Sequence, residues 1–104
     1  MLISTTDQIE GKRIVQTLGL ARGSAIRTRN VGRDIIAQFR NLIGGEVPEY
    51  TKMMAQSREQ AIQRMVEDAE SKGANAIVGA RFTTSMVMSG AAEMLAYGTA
   101  VKLE

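Results

Sequence analysis

Residues 93–103 alternate as a β-strand whose two faces differ in size. Leu95, Tyr97, Thr99 and Val101 fall on one side, and Ala96, Gly98 and Ala100 on the other. A face built of alanine and glycine lets a helix or another subunit approach the sheet closely. The bulky face needs a cover of its own. The chain has 104 residues and only four aromatic side chains, two Phe and two Tyr, so little material remains for a second core layer. One domain spanning residues 1–104 is therefore expected, with a sheet packed tightly on one side and apolar on the other.

The rest of the chain divides without a linker, repeat or low-complexity stretch. Leu2–Thr5 reads as a short β-prone entry, followed by a turn near Glu10–Lys12. From Ile14 the chain alternates, with Ile14, Gln16, Leu18 and Leu20 on one face and Val15, Thr17 and Gly19 on the other. Gly19 and Gly23 break that rhythm, which predicts a bulge or a close backbone approach. Val31, Ile35, Phe39, Leu42 and Ile43 share one helical face, with Asn30 as N-cap and Gly44-Gly45 as the stop, so a helix is expected over 31–43.

Pro48 opens a longer helix to about Lys72, carrying a stripe of Tyr50, Met54, Ala61, Met65 and Ala69. Ser57-Arg58-Glu59-Gln60 resembles a capping box, but the stripe keeps its register across Ser57 and one continuous helix is expected. Gly73 suits the residue just past its end. Residues 74–84 return to strand, with Ile77, Arg81 and Thr83 alternating against Val78, Ala80 and Phe82. A loop through Ser89-Gly90 then leads to the final strand. The order is β-β-α-α-β-β, an α+β domain with its helices on one face of a mostly antiparallel sheet. Helices on one face leave Leu95, Tyr97 and Val101 uncovered, and that predicts a homo-oligomer.

Composition removes most common chemistry. There is no Cys, no His and no Trp, hence no thiolate or imidazole metal site, no disulfide, no cysteine nucleophile and no Ser-His-Asp triad. Thirteen Lys and Arg against eleven Asp and Glu give a net charge of +2. The pI of about 9.3 is high because little titrates between carboxylates and amines, so it does not argue for nucleic acid as a partner. Arg22, Arg27, Arg29, Arg33 and Arg40 face Asp34 alone within residues 21–40, a set read as solvated or subunit-pairing. The N-terminus lacks a signal-peptide pattern and no apolar run is long enough to span a membrane, so a cytoplasmic location is expected.

Several segments in combination resemble one family. They are Gly11-Lys12-Arg13-Ile14-Val15 through Gly19, Arg33-Asp34-Ile35-Ile36, Ile43-Gly44-Gly45-Glu46 with Tyr50 beyond, and Arg58 with Ala61. Gly73-Ala74-Asn75-Ala76-Ile77-Val78-Gly79 and Tyr97-Gly98-Thr99-Ala100-Val101 complete the set. Together they cover nearly the whole chain and look like the YbjQ-type family of small bacterial and archaeal proteins, whose members carry a heavy-metal-binding label. The resemblance implies an α+β fold similar to the dodecin subunit, assembled as a ring-shaped homopentamer. It implies no catalytic residues.

The residues present bear on that label. Zn, Cu(II) and Ni favour thiolate or imidazole, and neither exists here. Thioethers could serve Cu(I): Met86 and Met88 stand two apart on a strand, and Met53, Met54, Met65 and Met94 lie within apolar patterns. Seven Met in an aromatic-poor chain read first as core or interface filling. Glu46 and Glu49 flank Pro48 and suit the N-terminal end of a helix, while Glu67, Asp68 and Glu70 read as a solvated face. Neither group has the spacing of a calcium loop.

No Ser, Thr or Lys is singled out as a nucleophile, and Gly19-Leu20-Ala21-Arg22-Gly23 has neither dinucleotide nor P-loop spacing. The expectation is a non-enzymatic oligomeric binding module for a metal ion or small ligand, with neither nucleic acid nor membrane as partner. A small-molecule or anion-binding oligomer, or an enzyme using carboxylate or Lys chemistry in an intersubunit pocket, is the alternative. Arg81, in mid-strand, is the candidate ligand-binding residue. It reads either as half of an ion pair across a subunit boundary or as an anion-binding group between subunits.

Overall fold

The structure, a computed structural model, describes residues 1–28, 48–88 and 91–104. The strands are β1 (Leu2–Ile3), β2 (Ile14–Thr28), β3 (Ala76–Met88) and β4 (Ala91–Leu103), and helix α1 (Pro48–Ser71) lies between β2 and β3. They form one four-stranded sheet in the order β1-β3-β4-β2. β1 runs parallel to β3, and the other two pairings are antiparallel. The described part is thus α+β, one helix against a mixed sheet. The helix expected over 31–43 and the loop at Ser89-Gly90 lie outside the described residues.

The helix runs unbroken through Ser57, as its stripe predicts. Ala61, Met65 and Ala69 are fully buried or nearly so, and Ser57 donates to the Met53 carbonyl at 3.0 Å. Its end is closed by Gly73, where the chain turns through φ 82° and the Ala74 N–H reaches the Ala69 carbonyl. The small face of β4 is where α1 packs: Ala96 and Ala100 join Ala21, Ala61, Met65, Ala69, Ile77 and Met94 in the main core. Gly23 makes the contact as tight as it is. A Cβ there would sit 2.6 Å from the Arg64 carbonyl carbon and closer still to Ala61 O and Met65 N, so strand and helix backbones touch.

A second, smaller cluster of Ala76, Val78, Val101 and Leu103 lies on the opposite face, helped by Ile9 and Ile14. The segment after β1 is tied along β3 by Ser4 N–H to Ile77 O and Ala80 N–H to Ser4 O. Asn75 anchors the other end, since its amide accepts from Leu103 N–H at 2.7 Å and donates to Leu103 O at 3.1 Å. The side chain thereby imitates a backbone peptide beside the last residues of β4.

Two alternations expected from the sequence are broken by bulges. Between Val78 and Arg81 the register against β4 slips, because Gly79 adopts φ 63°. Ile77 therefore pairs opposite Ala100 on the helix side, and Arg81 opposite Tyr97 on the far side, rather than sharing a face. A slip between Thr17 and Gly19, with φ 104° at Gly19, does the same for β2. Leu18 packs into the main core while Leu20 is 55% exposed on the far side. The bulge predicted near Gly19 is present, and it inverts the faces beyond it.

Candidate functional site

The far side of the sheet carries rows of exposed and half-buried side chains. Reading across the strand order, Arg81 of β3, Tyr97 of β4 and Arg22 of β2 stand in one row. The next row toward the hairpin end is Thr83, Leu95 and Ser24, and the one beyond is Ser85, Glu93 and Ile26. In the other direction Val78, Thr99 and Leu20 align. Cross-strand partners on one face sit about 5 Å apart at Cβ, so each row is a contiguous strip.

Within one chain Arg81 is tied to the backbone. Its Nη1 donates to the Thr5 carbonyl and to the Ala80 carbonyl, each at 2.8 Å. The partners are backbone oxygens, and among the described residues no carboxylate lies within ion-pair distance of it. The guanidinium clamps the N-terminal segment against β3 and is exposed. Both contacts use Nη1, which leaves Nε and Nη2 to donate elsewhere. No sequence pattern marks this contact, because Thr5 is brought to Arg81 by the parallel pairing of β1.

Arg22 is fixed through its backbone. Its N–H donates to Asp68 Oδ2 at 3.0 Å, and Lys72 Nζ meets Asp68 Oδ1 at 2.7 Å. The Lys72 hydrogen bond first, and then that N–H, hold the Asp68 carboxyl below its ordinary range, against a small opposing effect of burial. Nearby, Arg64 Nη1 donates to the Ser24 carbonyl at 2.6 Å. Asp68 and Arg64 thus seal outward-pointing groups of β2, an edge strand, to the helix. Asp68 belongs to this latch and does not converge with Glu67 or Glu70, whose side chains are exposed.

The methionines are distributed as packing. Met65 and Met94 lie in the main core, Met54 packs against it, and the Thr84 hydroxyl donates to Met94 Sδ at 3.2 Å. Met86 is 75% exposed; its pairing with Met88 rests on a side chain outside the described residues. Glu46, Arg29, Arg33, Asp34 and Arg40 lie outside them altogether, as do the side chains of Glu49 and Arg27. Among the described residues no three Asp or Glu come together where they could hold a cation. With no thiolate and no imidazole in the chain, the donor set does not fit Zn, Cu(II) or Ni.

Surface hollows among the described residues include two of note. One, of about 360 Å³, is lined by Gln8, Lys12, Arg13 and Ile14, and its Arg13 is already paired with Glu104 at 2.9 Å. The other, of about 420 Å³, lies along α1 between Ala55, Gln56, Glu59, Gln60 and Gln63. Neither brings a base to a nucleophile. Among the described residues, no helix is long and apolar enough to cross a membrane.

Comparison with known proteins gives a consistent picture. A family model described as "Putative heavy-metal-binding", of the YbjQ type, matches residues 1–104. A UPF0145 protein of Methanosarcina acetivorans is 60% identical over 103 residues, covering 99% of this chain and 97% of the relative. Another from Clostridioides difficile is 60% identical over 104 residues, covering all of this chain and 93% of its own. A crystal structure from Pediococcus pentosaceus, titled a protein with unknown function of the DUF74 family, superimposes with a TM-score of 0.66 at 18% identity. It covers 100% of this chain and 98% of that one, and speaks for the fold alone.

Proposed function

This chain belongs to the YbjQ family, also labelled UPF0145, and on that premise we propose that it is a non-enzymatic, homo-oligomeric module that binds its ligand between subunits. Neither label names a reaction. The observation that carries the proposal is the sheet face turned away from α1. Leu20 and Ile26 are 55% and 58% exposed there, beside half-buried Leu95 and Tyr97. A second copy laid on that face would remove large apolar side chains from water, each contributing about 1.5–3 kcal/mol when fully buried. The ring-shaped pentamer implied by the resemblance is the assembly we propose.

Light scattering and native mass spectrometry test this directly, with a closed oligomer expected at micromolar concentration. A clean monomer under those conditions would overturn it. The family's metal label is a separate question, to be settled by calorimetry with Cu(I), Zn and Mg on EDTA-treated protein. The donor set predicts no heat with Zn, since four-coordinate Zn sites are built from Cys, His and a few carboxylates. Tight Zn binding would show that ligands converge across subunits from residues that are far apart in one chain.

A further inference from the structure

Among the described strands, β3 is the one whose composition most favours recruiting another. Its 13 residues carry a single charge, Arg81, and no proline. Ala-Ile-Val-Gly-Ala precedes that arginine and Phe-Thr-Thr-Ser-Met-Val-Met follows it, the uncharged, β-prone type of run that adds strand to strand. One edge of β3 is taken along its length by β4. The other is paired only at its beginning, where Leu2 and Ile3 lie against Ala76 and Ile77. Among the described residues no strand pairs with that side of Phe82–Met88.

The segment covering the beginning is held through main-chain atoms. Leu2 and Ile3 are 44% and 38% exposed, so burial contributes little to their seating. Ser4 N–H reaches Ile77 O at 2.9 Å, and the N–H groups of Gly79 and Ala80 reach Thr6 O at 2.9 Å and Ser4 O at 3.0 Å. One side chain of β3 joins them, the Arg81 guanidinium on Thr5 O at 2.8 Å. The cover ends where Arg81 begins, and the bulge at Gly79 bends the strand beside it. Very short edge strands, bulges and edge charges are the devices by which sheets resist strand addition. All three meet along Ala76–Arg81.

We propose that Leu2–Thr6 is a strap that closes this part of the β3 edge against strand addition by another chain, with Arg81 as its catch. Without the strap, Ala76–Ala80 would join the open stretch Phe82–Met88 in one continuous template. A strap seated by a few hydrogen bonds and little buried area opens on its own, at a lower free energy than the sheet beneath it. It lies on the sheet's edge, away from the face offered to a second copy, and is independent of the assembly proposed above.

Native-state hydrogen exchange and thioflavin T growth of the full chain test this, with sedimentation recording the native assembly alongside. Ser4→Pro removes the N–H that reaches Ile77 O and leaves the Arg81 charge in place. It should speed exchange of the Gly79 and Ala80 amides about 10-fold, as the loss of one well-made hydrogen bond allows. The Ala96 and Ala100 amides of central β4 should keep their rates, and the thioflavin lag should shorten. Arg81→Gln loses catch and charge together, so it should speed the same two amides and shorten the lag further. Arg81→Lys keeps the charge but loses the fork, so exchange should fall between wild type and Arg81→Gln, with a lag near that of wild type.

Unchanged exchange at Gly79 and Ala80 in Ser4→Pro overturns the strap, and unchanged exchange in Arg81→Gln overturns the arginine as its catch. Equal acceleration at Ala96 and Ala100 also overturns the proposal, because the edge then opens only with the whole sheet. Faster exchange with an unaltered lag in both variants removes the protective role. A monomer in sedimentation speaks against the assembly and leaves the strap standing.

Discussion

The two faces of the sheet are packed by different means. Beneath α1 lie Ala21, Ala25, Ala96 and Ala100, each fully buried, with Gly23 and Gly98 between them. On the far face Leu20 and Ile26 are more than half exposed. An isolated small domain normally hides its largest apolar side chains. Under α1 the small residues let two backbones meet, with Met65 and Ile77 buried beside them. The far face is split: Val78, Val101 and Leu103 are covered within one chain, so Val101 is not uncovered as expected, while Leu20 and Ile26 stay in water.

Substitutions at each face should therefore fail in different ways. Gly23→Ala is the harshest test of the packed face, because its Cβ would meet backbone atoms of Arg64, Met65 and Ala61 that cannot swing aside. It should cost about 3 kcal/mol and lower Tm by roughly 10–20 °C in thermal unfolding followed by circular dichroism. A loss of under a degree would mean that α1 does not rest on β2. Leu20→Lys combined with Ile26→Lys should do the opposite. These side chains are exposed, so secondary structure and subunit fold should survive with a change within about 0.5 kcal/mol. Sedimentation should then show the assembly dissociating, and an unchanged oligomer would remove this face from the interface.

Asp68 supplies a subtler contrast, because it couples the helix to the edge of the sheet without burying anything. Its carboxyl titrates below its usual 3.8 in the folded protein. That stability is present above the unfolded value and is lost as pH falls through the folded one, below about pH 4. The site is partly exposed, so the contribution should stay under about 1 kcal/mol. Comparing urea midpoints of wild type and Asp68→Asn at pH 7 and pH 3 isolates it, since the difference between the two proteins should shrink in acid. A difference independent of pH would mean the latch is not ionic.

The periodic elements were legible because their causes are local. The stripe on α1, the Gly73 stop and the alternation of β4 each follow from residues a few positions apart. Facing failed at Gly79 and Gly19, where one extra residue inverts everything beyond it. Alternation marks those positions as irregular, but it does not say which way the chain resumes. The candidate site was harder still. Arg81 stood out as a charge in an apolar strand, yet its partners are carbonyls, and Thr5 reaches it only through a pairing 76 residues apart in sequence. Arg22 and Tyr97 gave no sign of adjacency, since cross-strand register is set by the whole sheet.

The contacts of Asp68 and Arg64 with the edge of β2 also fix a boundary. Outward-pointing backbone groups at Arg22 and Ser24 are occupied from the helix, so a strand sliding along this edge meets a stop at those residues. The helix, in closing its own subunit, thereby takes up two of the groups on which a further strand could pair.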